Sequence, residues 1–146
     1  MQKGFLLLQP VAPEKAVQQR ILIVDDSALM RKSIRRAIER GSEWQVCGEA
    51  SNGAEGVSET ERLKPDIVVL DVAMPVMDGI EAAIQIKKLR PETRLLIFTS
   101  YPTPSIEEAA RSFGIEAFVA KSDGDTPLLE ALHRLAALPS AFRQGA

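Results

Sequence analysis

Short apolar runs rich in β-branched residues alternate along this chain with longer stretches whose apolar positions recur every three or four residues. The runs at 20–26 ("RILIVDD"), 66–71 ("DIVVLD") and 94–100 ("RLLIFTS") are continuous rather than alternating, which predicts strands buried on both faces. A weaker run at 44–50 ("WQVCGEA") reads as a strand at an edge, and 115–121 ("IEAFVAK") as a fifth strand. Between them lie five helical patterns. The first, 27–40, has Ser27 as N-cap, places Leu29, Met30, Ile34, Ala37 and Ile38 at helical spacing, and stops at Gly41. The second, 51–64, is polar, enters through Ser-Asn-Gly and ends at Pro65; the third, 78–90, ends at Pro91. The fourth, 105–114, opens with a Ser105…Glu108 capping box and closes at Gly114. The fifth, 126–138, takes Thr126 as N-cap with Pro127 at its first position.

Five strands alternating with five helices predict an α/β fold: a doubly wound five-stranded parallel sheet, order 2-1-3-4-5, with five flanking helices, the flavodoxin-like arrangement. One domain is expected over 20–138. Residues 1–19 read as an N-terminal extension and 139–146 as a C-terminal tail.

Composition narrows the function. Hydrophobic residues make up 45% and charged residues 26% of the 146, as in an ordinary globular domain. The net charge of −2, from 18 basic and 20 acidic residues, gives no global reason to expect nucleic-acid or anionic-membrane binding. A single cysteine, Cys47, excludes an internal disulfide and a cysteine-cluster metal site, and reads as a buried structural thiol. A single histidine, His133, excludes a multi-histidine metal site and is assigned no chemistry. The apolar run near the start, "FLLL", is too short for a secretory signal and is broken by Gln9 and Pro10, so the expected compartment is the cytoplasm.

Chemistry enters at the strand ends. In an open doubly wound sheet, sites form beyond the carboxyl ends of the strands, where strand order reverses. Strand one ends in Asp25 and Asp26, strand three in Asp71, strand four in Thr99 and Ser100, strand five in Lys121. With strands one and three adjacent, three carboxylates converge. Two carboxylates ~4 Å apart repel by roughly 4 kcal/mol at an effective dielectric near 20. Three need a cation, and an oxygen-only set suits Mg²⁺. With Lys121 and the Thr99 hydroxyl beside it, the group has the parts of a phosphoryl-transfer site with a carboxylate nucleophile.

"VDD" after strand one, "LDVAMPVMDG" after strand three, "TS" after strand four and "AFVAK" in strand five together resemble the receiver domain of bacterial response regulators, in the style of receivers fused to LuxR-type DNA-binding domains. The likeness covers 20–138. It implies that Asp71 accepts a phosphoryl group from a histidine kinase or phosphotransfer protein. It also implies that Asp26, Asp71 and the backbone carbonyl of Ala73 bind Mg²⁺ directly, with Asp25 acting mainly through water. Thr99 would hold a phosphoryl oxygen, Lys121 would pair with the acyl phosphate, and Thr99 with Phe118 would form the switch. Ser122 follows Lys121 where the family often carries a proline with a cis peptide, so a trans bond is expected here. Ala73 and Tyr101 flank the phosphoryl position, and the proline-rich stretch "SYPTPS" suggests a late or stiffly held fourth helix.

Blander roles stand beside these. Asp25 and Asp26 could cap the first helix, Phe118 could be core, and Trp44 reads as structural. The basic set Arg31, Lys32, Arg35 and Arg36 reads first as a solvated helix face and second as a docking surface. An aspartyl-nucleophile phosphohydrolase is the enzyme alternative, but Ala73 stands where such enzymes usually carry a second acid. A receiver cut from a DNA-binding regulator is the other. The eight residues at 139–146 are too few for a helix-turn-helix, so the expected output is protein–protein contact: a downstream target, or a homodimer through helix four, strand five and helix five.

Overall fold

In a computed structural model the described residues are 18–41 and 43–139; the proposed extension, apart from its last two residues, and the tail beyond Pro139 lie outside them. The strands are β1 Gln19–Val24, β2 Trp44–Ala50, β3 Ile67–Leu70, β4 Arg94–Thr99 and β5 Ala117–Ala120. The helices are α1 Ala28–Glu39, α2 Gly53–Leu63, α3 Gly79–Leu89, α4 Pro104–Ser112 and α5 Asp125–Ala136. The sheet runs β2-β1-β3-β4-β5, and all four pairings are parallel. This is the predicted order, with β2 at an edge.

The continuous apolar strands are buried on both faces because each face meets helices. One core gathers Ile21, Ile23, Ile67, Val69, Leu96 and Phe98 under α1 and α5 side chains such as Ile34, Ile38, Leu128 and Leu132. The alternate residues Leu22, Val24, Val68, Leu70, Leu95 and Ile97 face Ala82, Ala83, Ile86 and Ala110 of α3 and α4. The register between β1 and β2 shifts between Ile21 and Leu22, which pair with Val46 and Gly48. Cys47 is the extra residue of this bulge, half-buried, and burial pushes its thiol pKa up.

At two helix starts the structure departs from the local signals in the sequence. The N-cap of α4 is Thr103, whose hydroxyl accepts the Ile106 N–H, not Ser105. Pro104 explains the change: its fixed φ suits the first helical position, and it holds the preceding residue extended, as a cap must be. The helix therefore begins earlier than expected, not later. At α5 the cap position is Gly124, at φ 85°, not Thr126. A 3₁₀ turn over Lys121–Asp123 brings the chain into the helix two residues sooner, and Pro127 is tolerated in the first turn, where N–H groups lack helical partners anyway. Ser27 caps α1 as read, accepting the Met30 N–H.

The lower end of the sheet is tied by an arginine. Arg94, at the start of β4, is 2% exposed and donates to the carbonyls of Leu135 (2.9 Å), Leu138 (3.0 Å) and Pro139 (3.2 Å). A buried guanidinium is tolerable where it meets the unpaired carbonyls and negative dipole end of a helix. The start of the strand that carries Thr99 is thereby fixed to the end of α5.

Candidate functional site

The upper end of the sheet assembles the acids. Beyond the last paired residues of β1 and β3, the Asp25 N–H donates to Ala50 (3.0 Å) and the Asp71 N–H to Val24 (2.9 Å), so both backbones continue the ladder one step past the strands. The side chains therefore project from fixed positions. Asp25, Asp26 and Asp71 each offer an oxygen, all within 4.8 Å of one another. Asp25 and Asp71 are buried at 2% and 7% exposure, and Asp26 is exposed.

Lys121, the first residue after β5, reaches across the sheet top. Its Nζ lies 2.7 Å from Asp25 Oδ2 and 3.4 Å from Asp71 Oδ2. The other Asp25 oxygen accepts the Ser27 N–H at 2.9 Å, and Asp71 Oδ1 accepts the Val72 N–H at 2.8 Å. One ammonium against three carboxylates leaves the cluster short of positive charge. Burial accordingly pushes the Asp71 carboxyl above its ordinary pKa, and Asp25 pushes the same way; Lys121 and the Val72 N–H only partly offset them. An all-oxygen cluster with a negative excess, one acid open to solvent, fits a hard divalent cation with retained waters.

Thr99 closes β4, fully buried, and its Oγ1 accepts the Tyr101 N–H at 3.0 Å. Tyr101 itself is 64% exposed. Phe118 is half-buried against the second core and lines a cavity of about 210 Å³ with Ala110, Ile115 and Arg134. It therefore sits at the core's margin rather than within it. Ala73 lies on the exposed stretch after Asp71, and the peptide between Lys121 and Ser122 is trans. His133, exposed, stacks obliquely on buried Trp44, ring centroids 4.6 Å apart, away from the acids.

The β3–α3 loop is shaped by close approach. Gly79 donates its N–H to Val72 (2.9 Å), and a Cβ there would overlap the Asp71 carbonyl, so only glycine brings α3 so near the site. Within the loop the Met77 N–H donates to Pro75 at 2.7 Å, a γ-turn with Val76 at φ 70°. That conformation is strained for a β-branched residue. Sequence reading passed over Val76, and also Arg31 as a neighbour of the acids: Arg31 Nη1 donates to the Asp25 carbonyl at 2.6 Å. Its spacing from Asp26 was visible, but its other partner, Glu49, comes from a different strand.

Residues 21–133 match the family model described as the response regulator receiver domain. The chain is 35% identical over 117 residues to the chemotaxis protein CheY of Thermotoga maritima, covering 80% of this chain and 97% of that one. It is 43% identical over 105 residues to a protein-glutamate methylesterase/protein-glutamine glutaminase of Methanococcoides burtonii, which covers 70% of this chain but only 30% of that protein. Among solved structures, a LuxR-family two-component response regulator from Aurantimonas sp. SI85-9A1 superposes with a TM-score of 0.78 at 34% identity, over 82% of this chain and 86% of that one.

Proposed function

The chain belongs to the response regulator receiver family, the phosphoryl-accepting switches of two-component signalling, and from that premise we propose that Asp71 is its phosphoryl acceptor. One observation carries the assignment: Asp71 is the buried carboxylate at the carboxyl end of the central strand β3, with an oxygen within 4.8 Å of one from Asp25 and its Oδ2 3.4 Å from Lys121 Nζ. In the proposed step an Asp71 oxygen bonds to phosphorus as the phosphorus–nitrogen bond of a phosphohistidine breaks, and the imidazole leaves with the electron pair. Asp25, Asp26, Asp71 and the Ala73 carbonyl are the proposed Mg²⁺ ligands, Asp25 through water; the cation supplies neutralising charge for the acids and the transferred oxygens. Lys121 is poised to move from Asp25 to a phosphoryl oxygen without leaving the cluster. Thr99 is proposed to turn its hydroxyl from the Tyr101 N–H to the phosphoryl group, freeing space toward which Phe118 rotates.

Proposed partners are a sensor histidine kinase or phosphotransfer protein upstream and a protein target downstream, with a homodimer through α4, β5 and α5 as one form of output. The compartment proposed is the cytoplasm; among the described residues no helix is long and apolar enough to cross a membrane. The only catalysis proposed is of the protein's own phosphorylation and dephosphorylation. Incubation with acetyl phosphate and Mg²⁺ followed by mass spectrometry tests the assignment. Wild type gains one phosphoryl group and Asp71→Asn gains none; undiminished labelling of that variant refutes it.

A further inference from the structure

Every polar group of Asp25 is held. Its N–H goes to Ala50, its two carboxylate oxygens to Ser27 and Lys121, and its carbonyl to Arg31. That carbonyl belongs to the same planar unit as the N–H of Asp26, so fixing it fixes the peptide from which the exposed acid departs. Arg31 is fixed in turn. Its Nε donates to Glu49 Oε1 at 2.9 Å, and Glu49 is the residue before Ala50, which accepts the Asp25 N–H. The contacts close a ring: Ala50 to Asp25, Asp25 to Arg31, Arg31 to Glu49, and Glu49 back to Ala50 through the chain. Arg35 donates to the second Glu49 oxygen at 2.8 Å. Burial raises the Glu49 pKa, but Arg35 and Arg31 together lower it further than burial raises it, so the carboxylate stays charged and the ring holds at neutral pH.

We propose that Arg31, oriented by Glu49, is a positioning residue for divalent-cation binding: it locks the Asp25–Asp26 peptide so that the Asp26 carboxylate is presented beside Asp71. This rests on the acid cluster being the cation site. Arg31 touches no reacting atom and acts only through the peptide it holds.

The sign of its effect separates positioning from plain electrostatics. Arg31 is a cation near a cation site, so neutralising it without loss of geometry tightens Mg²⁺ binding. If it positions Asp26, neutralising it weakens binding, and partners that orient metal ligands typically contribute tenfold or more. Calorimetric Mg²⁺ titration of the full chain, with thermal unfolding in EDTA as the folding control, decides between them. Arg31→Met is expected to bind about tenfold more weakly than wild type. Glu49→Gln, which keeps the arginine but loosens its orientation, is expected to lose less affinity in the same direction. Lys32→Met, an exposed neighbour with the same charge change, is expected to bind equally or slightly more tightly. Equal or tighter binding by folded Arg31→Met overturns the inference. If that variant does not fold, Arg31→Lys decides: it keeps the charge, so electrostatics predicts no change, but one ammonium cannot reproduce the fork that joins Glu49 to the Asp25 carbonyl, and unchanged affinity there overturns the inference. Asp26→Asn reports on the underlying reading: if it binds Mg²⁺ like wild type, the acid cluster is not the site and both readings fall together.

Discussion

Asp71→Asn should make the metal-free protein more stable, because the wild-type fold forces like charges together. At the 4.8 Å bounding the cluster, each repulsion with Asp25 or Asp26 is about 3.5 kcal/mol at an effective dielectric near 20, so about 7 kcal/mol for the two. The attraction to Lys121 at 3.4 Å is worth about 5 kcal/mol on the same scale. The ionised carboxylate is therefore unfavourable by about 2 kcal/mol before its lost hydration is counted, and salt trims both sums. Asparagine keeps the oxygen that accepts the Val72 N–H, and Lys121 keeps Asp25 at 2.7 Å. The expected gain is about 1–2 kcal/mol at pH 7 in EDTA and low salt.

The pH dependence follows from linkage. Asp71 has its pKa raised in the folded state, so the folded protein binds that proton more tightly than the unfolded chain does. Its contribution to stability then falls as pH rises from the unfolded carboxylate value toward the folded one. The advantage of Asp71→Asn is full above the folded pKa and vanishes below the unfolded value near ~4. Urea unfolding of both proteins at pH 7 and near pH 3.5 reads this directly. Saturating Mg²⁺ should reverse the order, since a cation at a hundredfold excess over its Kd adds about 2.7 kcal/mol to whichever protein binds it. A variant less stable than wild type at pH 7 without metal, or equally favoured at both pH values, would refute the charge-crowding account.

Three further outcomes test other parts of the molecule. Fluorine NMR of fluorophenylalanine-labelled protein should show a shifted Phe118 resonance on adding beryllofluoride and Mg²⁺, and an unmoved signal at saturation would return Phe118 to a purely structural role. Val76→Gly should stabilise the fold by up to about 1 kcal/mol, the relief of a positive-φ β-branched residue less the entropy glycine adds to the unfolded chain; a destabilised variant in urea would mean that the loop gains more from the valine side chain than it loses to strain. Arg94→Met should cost about 2–3 kcal/mol and speed amide exchange at 135–138, because charge-assisted bonds to the end of α5 disappear; exchange confined to wild-type rates there would show that the helix end is held by packing alone.

The distribution of what sequence revealed follows from which forces leave a linear trace. Burial on both faces of a parallel strand needs an unbroken apolar run, so β1, β3 and β4 were readable from the apolar pattern alone, and their order brought Asp25, Asp26 and Asp71 together. The contact between Lys121 and Asp25 spans 96 positions, yet it too was within reach, because sheet order fixes which strand ends face each other. Hydrogen-bond direction leaves no such trace. Ser105 and Thr126 looked like caps because their residue types can cap; Pro104 and Gly124 settled the matter through backbone geometry, which residue type constrains only at proline and, more loosely, at glycine. Arg31, with Lys32, Arg35 and Arg36, reads in sequence as a solvated basic face or a docking surface for the same reason: periodicity places Arg31 on a polar stripe but cannot say that Glu49 of β2 meets it there. A charged residue beside an acidic site is thus ambiguous until its geometry is known. Its charge alone opposes cation binding, whereas its hydrogen bonds can favour it by holding the ligands, so the sign of its effect depends on the contact and not on the residue.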